Sequence, residues 1–346
     1  MNRKIAFLEF LRVLCAIVVV LDHICIAGIH IFENDATTFD EFFYNGIQHW
    51  SHFAVPVFLM ISGYLLLDPI REIGYKKVIT KYVWRMTVVL LTVGSVFAWM
   101  EIYFTTKSLA PSGFLIALWN TVQGETWKHL WYLYTLIGLY LIMPVVKSFF
   151  NNLSLKELDV FLILSFFFGS IMPTISSLTG VKLGVTLPIC SIYLFYFMMG
   201  RRIGIMEKWG GQFCSAILLF VLSLILFGSA FFEYYYNMHE LSALSSYSSP
   251  IVVLTGLLLF YLAKNLEERL LYIYKIGEKS IQHLANNSFG IYIFHMFWVN
   301  IIYKVVKFNP LEHGIWVIIP MLILVVIASD ITTILYKRIP YVGKFI

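Results

Sequence analysis

Charge is the scarcest property of this 346-residue chain: only 13% of its residues are charged, and 60% are hydrophobic. A soluble domain carries roughly 25% charged residues, so the low fraction and a mean hydropathy of +0.80 exclude a soluble fold and point to an integral membrane protein. Cysteine is also sparse. Cys15, Cys25, Cys190 and Cys214 lie in apolar stretches without paired spacing, which argues against a disulfide framework and against a zinc site, and leaves them as packing residues. No tandem repeat, low-complexity tract or linker divides the chain, so one domain is expected over 1–346. A cleaved leader is not expected either, because Arg3–Lys4 leads into an apolar run longer than a signal-peptide core and no small-residue cleavage pattern follows.

Long apolar runs are present in abundance. Stretches suited to a membrane helix fall near 5–28, 51–67, 83–104, 129–149, 159–178, 187–205, 212–232, 249–264, 287–306 and 313–335, which predicts an all-α polytopic protein of about ten transmembrane helices. The shorter stretch 109–122, with Pro111 and Gly113 at its start, reads as interfacial or re-entrant. Of the 25 lysines and arginines, 19 fall on the N-terminus, the even-numbered loops and the C-terminal tail, and five fall on the odd-numbered loops. Cytoplasmic loops hold such an excess, so both termini are expected in the cytoplasm. The same bias accounts for most of the net charge of +5, which removes the need for an acidic partner such as nucleic acid.

The twenty-fifth of these residues is Arg12, which lies inside the first apolar run with His23. Ionisable residues within membrane spans are costly and mark functional paths. Eleven positions of helix amount to about 1100°, so Arg12 and His23 project from one face roughly 16 Å apart, and Glu9 extends the stripe by one turn. Each residue also has a plain explanation. Arg12 can snorkel to the interface while paired with Glu9, and His23 can make an interhelical hydrogen bond with Asp22 holding one ring nitrogen. Both residues on one stripe suit the opposite ends of a transfer path better than either explanation taken alone.

Other polar groups punctuate the later spans. His49, Ser51 and His52 precede the second span and Ser62 lies near its end, where helix capping accounts for the first three as well as chemistry does. His129 and Trp131 open the fourth span, in the place of an aromatic belt, and His295 lies near the middle of the ninth. Ser62, His129, Trp131 and His295 are therefore candidate lining residues.

Taken together, Glu9-x-x-Arg12-x(10)-His23, Val55-Pro-Val-Phe-Leu-Met-Ile-Ser-Gly-Tyr64, His129-Leu-Trp-Tyr with Tyr140 and Pro144, Met199-Gly-Arg-Arg-Ile-Gly204 and Ser288-Phe-Gly-Ile-Tyr-Ile-Phe-His295 resemble acyltransferase family 3 over nearly the whole chain. The resemblance is to the stand-alone, multi-pass inner-membrane type that O-acetylates enterobacterial common antigen or exopolysaccharide. It implies acetyl-CoA as donor, no metal, and the hydroxyl of an exported glycan or lipid-linked oligosaccharide as acceptor, with Arg12 and His23 in the active site. Membrane lipid surrounds such a protein, and polysaccharide-synthesis proteins or a second copy of the chain are the protein partners it admits. The family's R-x-x-R pattern is matched only at Arg85, since Tyr82 stands at the first arginine with Lys81 beside it. No SGNH-type domain is expected.

On these expectations the CoA phosphates meet Lys77, Lys81, Arg85, Arg201 and Arg202 at the cytoplasmic rim, although positive-inside topology alone would place those residues there. Arg12, directed by Glu9, contacts the CoA phosphate or the pantetheine amides. An extended pantetheine arm of on the order of 15–20 Å brings the thioester to His23. His23 then serves either as general base for the acceptor hydroxyl or as a covalent acetyl carrier, with Asp22 orienting its ring. The rival function is a secondary transporter or glycan flippase in which Arg12, His23 and His295 bind substrate or relay protons. Neither an internal repeat nor paired Gly/Pro-broken spans favour it.

Overall fold

The computed structural model describes residues 5–107, 110–182, 184–185, 187, 191–207 and 211–346. Arg3, Lys4 and Cys190 lie outside them. Among the described residues every regular element is helical. In chain order the main ones are α1 (Ala6–Ile31), α2 (Thr38–Ser51), α3 (Ala54–Leu66), α4 (Tyr75–Thr106), α5 (Pro111–Gln123) and α6 (Trp131–Asn152). There follow α7 (Leu155–Thr179), α8 (Ile192–Ile205), α9 (Gln212–Tyr235), α10 (Pro250–Asn265), α11 (Glu267–Ile276), α12 (Glu278–Asn300) and α13 (Ile318–Lys337).

Seven of the ten predicted spans coincide with helices long and apolar enough to cross a membrane: α1, α4, α7, α9, and the stretches Lys128–Asn152, His239–Asn265 and Ile315–Lys337 that contain α6, α10 and α13. The protein is accordingly a multi-pass membrane protein. The other three spans correspond to α3, α8 and α12. With 13 and 14 residues, α3 and α8 extend about 20 Å, short of the roughly 30 Å hydrocarbon layer. Asn286, Asn287, Ser288 and His295 dilute the apolar character of α12. Of the stretch 109–122, residue 109 lies outside the described residues and the rest contributes to α5, opened by Pro111 in its first turn, where the missing amide hydrogen costs no bond.

The hub is α1, which packs against α2, α3, α10, α11, α12 and α13. Half of its most apolar 18-residue window is buried, against 22% for α9, whose Phe213, Phe220 and Leu224 remain exposed as lipid-facing side chains do. The first amides of α1 are bound by a neighbouring helix. Glu267 of α11 accepts from Ala6 N at 3.1 Å and Phe7 N at 2.7 Å, placing a carboxylate at the positive end of the helix dipole.

Two glycines decide how closely α3 and α8 approach. A Cβ on Gly63 would fall 1.7 Å from the Phe197 carbonyl oxygen, and one on Gly200 would fall 2.0 Å from that of Met60. The two backbones touch at these points, the close packing that small residues allow in membrane helices. Helix α2 was not anticipated. Its N-terminus is closed by a capping box between Thr37 and Asp40, and its buried face, with Tyr44, Asn45 and His49, packs against α1 and α9. Wide π turns at Val78–Val83 and Leu90–Gly94 interrupt α4 on either side of Arg85 and rotate the helix face between them. Of the cysteines, Cys15 and Cys25 are buried as packing residues, whereas Cys214 on α9 is exposed.

Candidate active site

Two features of α1 meet different parts of the protein. Near the helix start, Arg12 donates to Glu9 at 2.8 Å and lines a cavity of about 330 Å³ bounded by α1, α3, α4, α6 and α12. Arg85, from the segment between the two π turns of α4, is the second cation in its wall, and among the described residues no aspartate or glutamate lines it, although Glu9 is bonded to Arg12. Ser62 and Tyr140 are in the same wall. The Arg85 guanidinium donates to the Phe345 carbonyl at 2.7 Å and lies 4.7 Å from the Phe289 ring centre, so its direction is fixed. A concave site whose wall holds two guanidinium groups, one of them paired with Glu9, suits an anionic ligand.

Farther along α1, His23 enters a cluster of three imidazoles. Its ring centre lies 4.8 Å from that of His295 on α12 and 6.1 Å from that of His129, which sits in the turn leading into α6; the latter two are 5.1 Å apart. His23 Nδ1 is 2.9 Å from the Val19 carbonyl oxygen. A carbonyl only accepts, so Nδ1 carries a hydrogen, and in the neutral ring Nε2 then presents its lone pair, the form a base or nucleophile needs. Asp22 Oδ2 stands 3.4 Å from the same Nδ1, while Oδ1 accepts from the Ser51 hydroxyl at 2.6 Å. The chain Ser51–Asp22–His23 thus runs from α2 into α1 and orients the ring. Among the described residues no group of histidine, cysteine, aspartate and glutamate is arranged to hold a metal ion.

Tyr132 and Tyr292 lie between cavity and cluster. Both line the cavity, their rings pack edge to face at 5.6 Å, and the Tyr292 ring is 5.9 Å from both His129 and His295. The Tyr292 hydroxyl donates to the His129 carbonyl, and His129 Nε2 donates back to the Ile293 carbonyl at 3.1 Å, so the turn before α6 is bound to α12 in both directions.

A sequence model of the family described as "Acyltransferase domain" matches residues 5–334 of the chain. The chain belongs to this acyltransferase family. No curated protein and no solved structure matches it.

The acyltransferase brings together most of the residues singled out from its sequence. Glu9, Arg12, Ser62 and Arg85 gather at the cavity, and Asp22, His23, His129 and His295 at the imidazole cluster. Trp131 stands apart from both, half-buried, with its ring 5.5 Å from Tyr193 and 5.2 Å from Tyr247; the Tyr247 ring also packs on His52 at 4.9 Å. The predicted cationic rim is dispersed. Lys77 and Lys81 are exposed at the start of α4; Arg201 pairs with Asp68 at 3.3 Å, and Arg202 with Asp159 at 2.7 and 2.8 Å. Neither Arg201 nor Arg202 lines the cavity.

Two residues of this architecture carried no separate weight in the sequence. Tyr292 is three positions before His295, a spacing that puts both on one helix face, and Tyr132 follows Trp131 directly. Those spacings could have flagged the two tyrosines. Nothing local pairs Ser51 with Asp22, since α2 itself was not foreseen.

Proposed function

We propose that this acyltransferase carries an acetyl group from cytoplasmic acetyl-CoA to a hydroxyl of an exported glycan in the cell's inner membrane, with His23 as the base and Arg12 holding the donor. The observation that carries this reading is the closeness of a cationic cavity to a cluster of oriented imidazoles, with Tyr132 and Tyr292 lining the cavity and the Tyr292 ring 5.9 Å from His129 and His295. An acyl transfer needs those two parts: a place for an anionic carrier and a base at the reacting carbon.

In this mechanism Arg12 and Arg85 meet phosphate or pantetheine groups of the donor, and exposed Lys77 and Lys81 attract it to the mouth of the site. Arg201 and Arg202 are committed to Asp68 and Asp159 and stabilise the helices around it. A shift of the Tyr132 and Tyr292 rings opens the way for the thioester to reach His23. The lone pair on His23 Nε2 accepts the hydroxyl proton as the acceptor oxygen attacks the thioester carbonyl, and Asp22, held by Ser51, stabilises the imidazolium that forms. The acceptor approaches from the side of Trp131, Tyr193 and Tyr247, whose half-buried ring faces suit the weakly positive C–H groups of a sugar ring.

The test is reconstitution with labelled acetyl-CoA and a panel of lipid-linked and polymeric glycans. Thiol release that depends on a glycan, with label recovered as an ester on a sugar hydroxyl, is the expected result. Glycan movement across the bilayer without thiol release would instead assign a transporter.

A further inference from the structure

The imidazole cluster contains more base than the transfer above uses. His129 and His295 are 2% and 0% exposed, and each gives its one ring hydrogen to the backbone: His129 Nε2 to Ile293 O at 3.1 Å, and His295 Nδ1 to Ile291 O at 3.3 Å. By the argument applied to His23, the opposite nitrogens are bare acceptors in the neutral rings, and among the described residues neither His129 Nδ1 nor His295 Nε2 has a hydrogen-bond partner. An unsatisfied buried acceptor destabilises a fold, and this one carries two of them beside the same base. Three lone pairs with no hydrogen among them form a cluster that one added proton would join.

We propose that His295 is a second proton carrier, taking from His23 the proton that His23 removes from the acceptor. This rests on the acyl-transfer reading, not on the identity of the glycan. His295 is favoured over His129 because its ring is the nearer to His23, 4.8 against 6.1 Å, and with His295 Nε2 making no direct bond the proton passes through one water. The titratable groups around His23 are Asp22 on its own helix, His129 before α6, and His295 and Tyr292 on α12; Tyr247 lies close to Asp22.

The balance closes without an added reagent. The acceptor O–H bond breaks as its oxygen bonds to the thioester carbonyl carbon, and the proton moves to His23 Nε2 and on to His295 Nε2. The C–S bond breaks with its electron pair on sulfur, and the proton returns through His23 to that sulfur. Ester and thiol leave, and both rings are neutral again. Holding the proton on His295 during collapse keeps it from returning to the oxygen that has just reacted.

The deciding experiment replaces the ring by small molecules. Thiol release from acetyl-CoA, with the glycan found to be acylated in the panel above, is measured for wild type and His295→Ala with added imidazole or with pyrazole, a ring of the same size and far weaker basicity. We expect kcat to fall by about 100-fold with both KM values within about threefold, imidazole to restore about tenfold or more, and pyrazole to restore nothing. A kcat within about threefold of wild type, or equal rescue by the two rings, would overturn the proposal, since the histidine then only fills space. Should His295→Ala not fold, His295→Gln keeps a donor for Ile291 O and cannot carry a proton. It should show the same loss of about 100-fold at an unchanged melting temperature, and activity within about threefold would reject the role. Failure of the underlying reading has its own signature, wild-type protein that releases no thiol with any glycan, and it would remove this proposal as well.

Discussion

At the scale of single residues, His23 and its supports make the sharpest claims. His23→Ala should abolish acetyl transfer and leave membrane insertion intact, as judged by label on the glycan and by protein recovered in the membrane fraction. Wild-type turnover in that variant would remove the base role. Arg12→Ala should raise the KM for acetyl-CoA by about tenfold or more with a smaller change in kcat, the pattern of lost binding common to ground and transition states. Ser51→Ala deletes a 2.6 Å hydrogen bond to the Asp22 carboxylate. Such charged bonds contribute about 1.5–3 kcal/mol, so kcat should fall by roughly 10-fold or more while both KM values hold. An unchanged kcat would mean that Asp22 needs no help to orient the ring. Arg12 and His23 were legible in the sequence because a cation and an imidazole stand out in an apolar helix. Tyr132 and Tyr292 were not, because 17% of the chain is aromatic and a membrane interface places such rings freely.

Among elements, the paired helices α3 and α8 show what hydropathy can and cannot convey. Their apolar runs were readable, but their contact is set by Gly63 and Gly200, whose importance comes from what lies across the interface. Gly200→Ala puts a methyl group 2.0 Å from the Met60 carbonyl oxygen, forcing the helices apart, whereas a Cβ on Gly138 in α6 meets nothing within 4 Å. The first substitution should lower the melting temperature in detergent, at an overpacking cost of about 1–3 kcal/mol or more, and Gly138→Ala should leave it unchanged. Equal melting temperatures would deny the close approach. Helix α2 escaped notice because Glu33, Asp35, Asp40 and Glu41 make its approach look like an outer loop, and only the Thr37–Asp40 capping box turns that acidic stretch into a helix start. The π turns of α4 leave no trace in composition, since a change in backbone winding does not alter hydropathy.

The whole molecule is a set of helices around α1, with a cationic cavity toward one end of that helix and an imidazole cluster toward the other. Among the described residues, seven spans follow from length and apolarity. Counted on ten spans, the even-numbered loops hold most of the positive charge, so the proposed function takes the Arg12 end as the cytoplasmic one under the positive-inside rule. The Arg201 and Arg202 pair shows the limit of that rule. It drew both residues to the cytoplasmic rim for the same reason that phosphate binding would, and only coordinates reveal that Asp68 and Asp159 engage them. What joins the molecule's two halves is the partition of Tyr132 and Tyr292, so acyl transfer in this account connects the two faces of the bilayer. Proteoliposomes with a single protein orientation, acetyl-CoA supplied only on the Arg12 side and glycan enclosed only on the His23 side, measure this directly. The account predicts labelled acetyl groups on the enclosed glycan; transfer only when donor and acceptor share one compartment would contradict it.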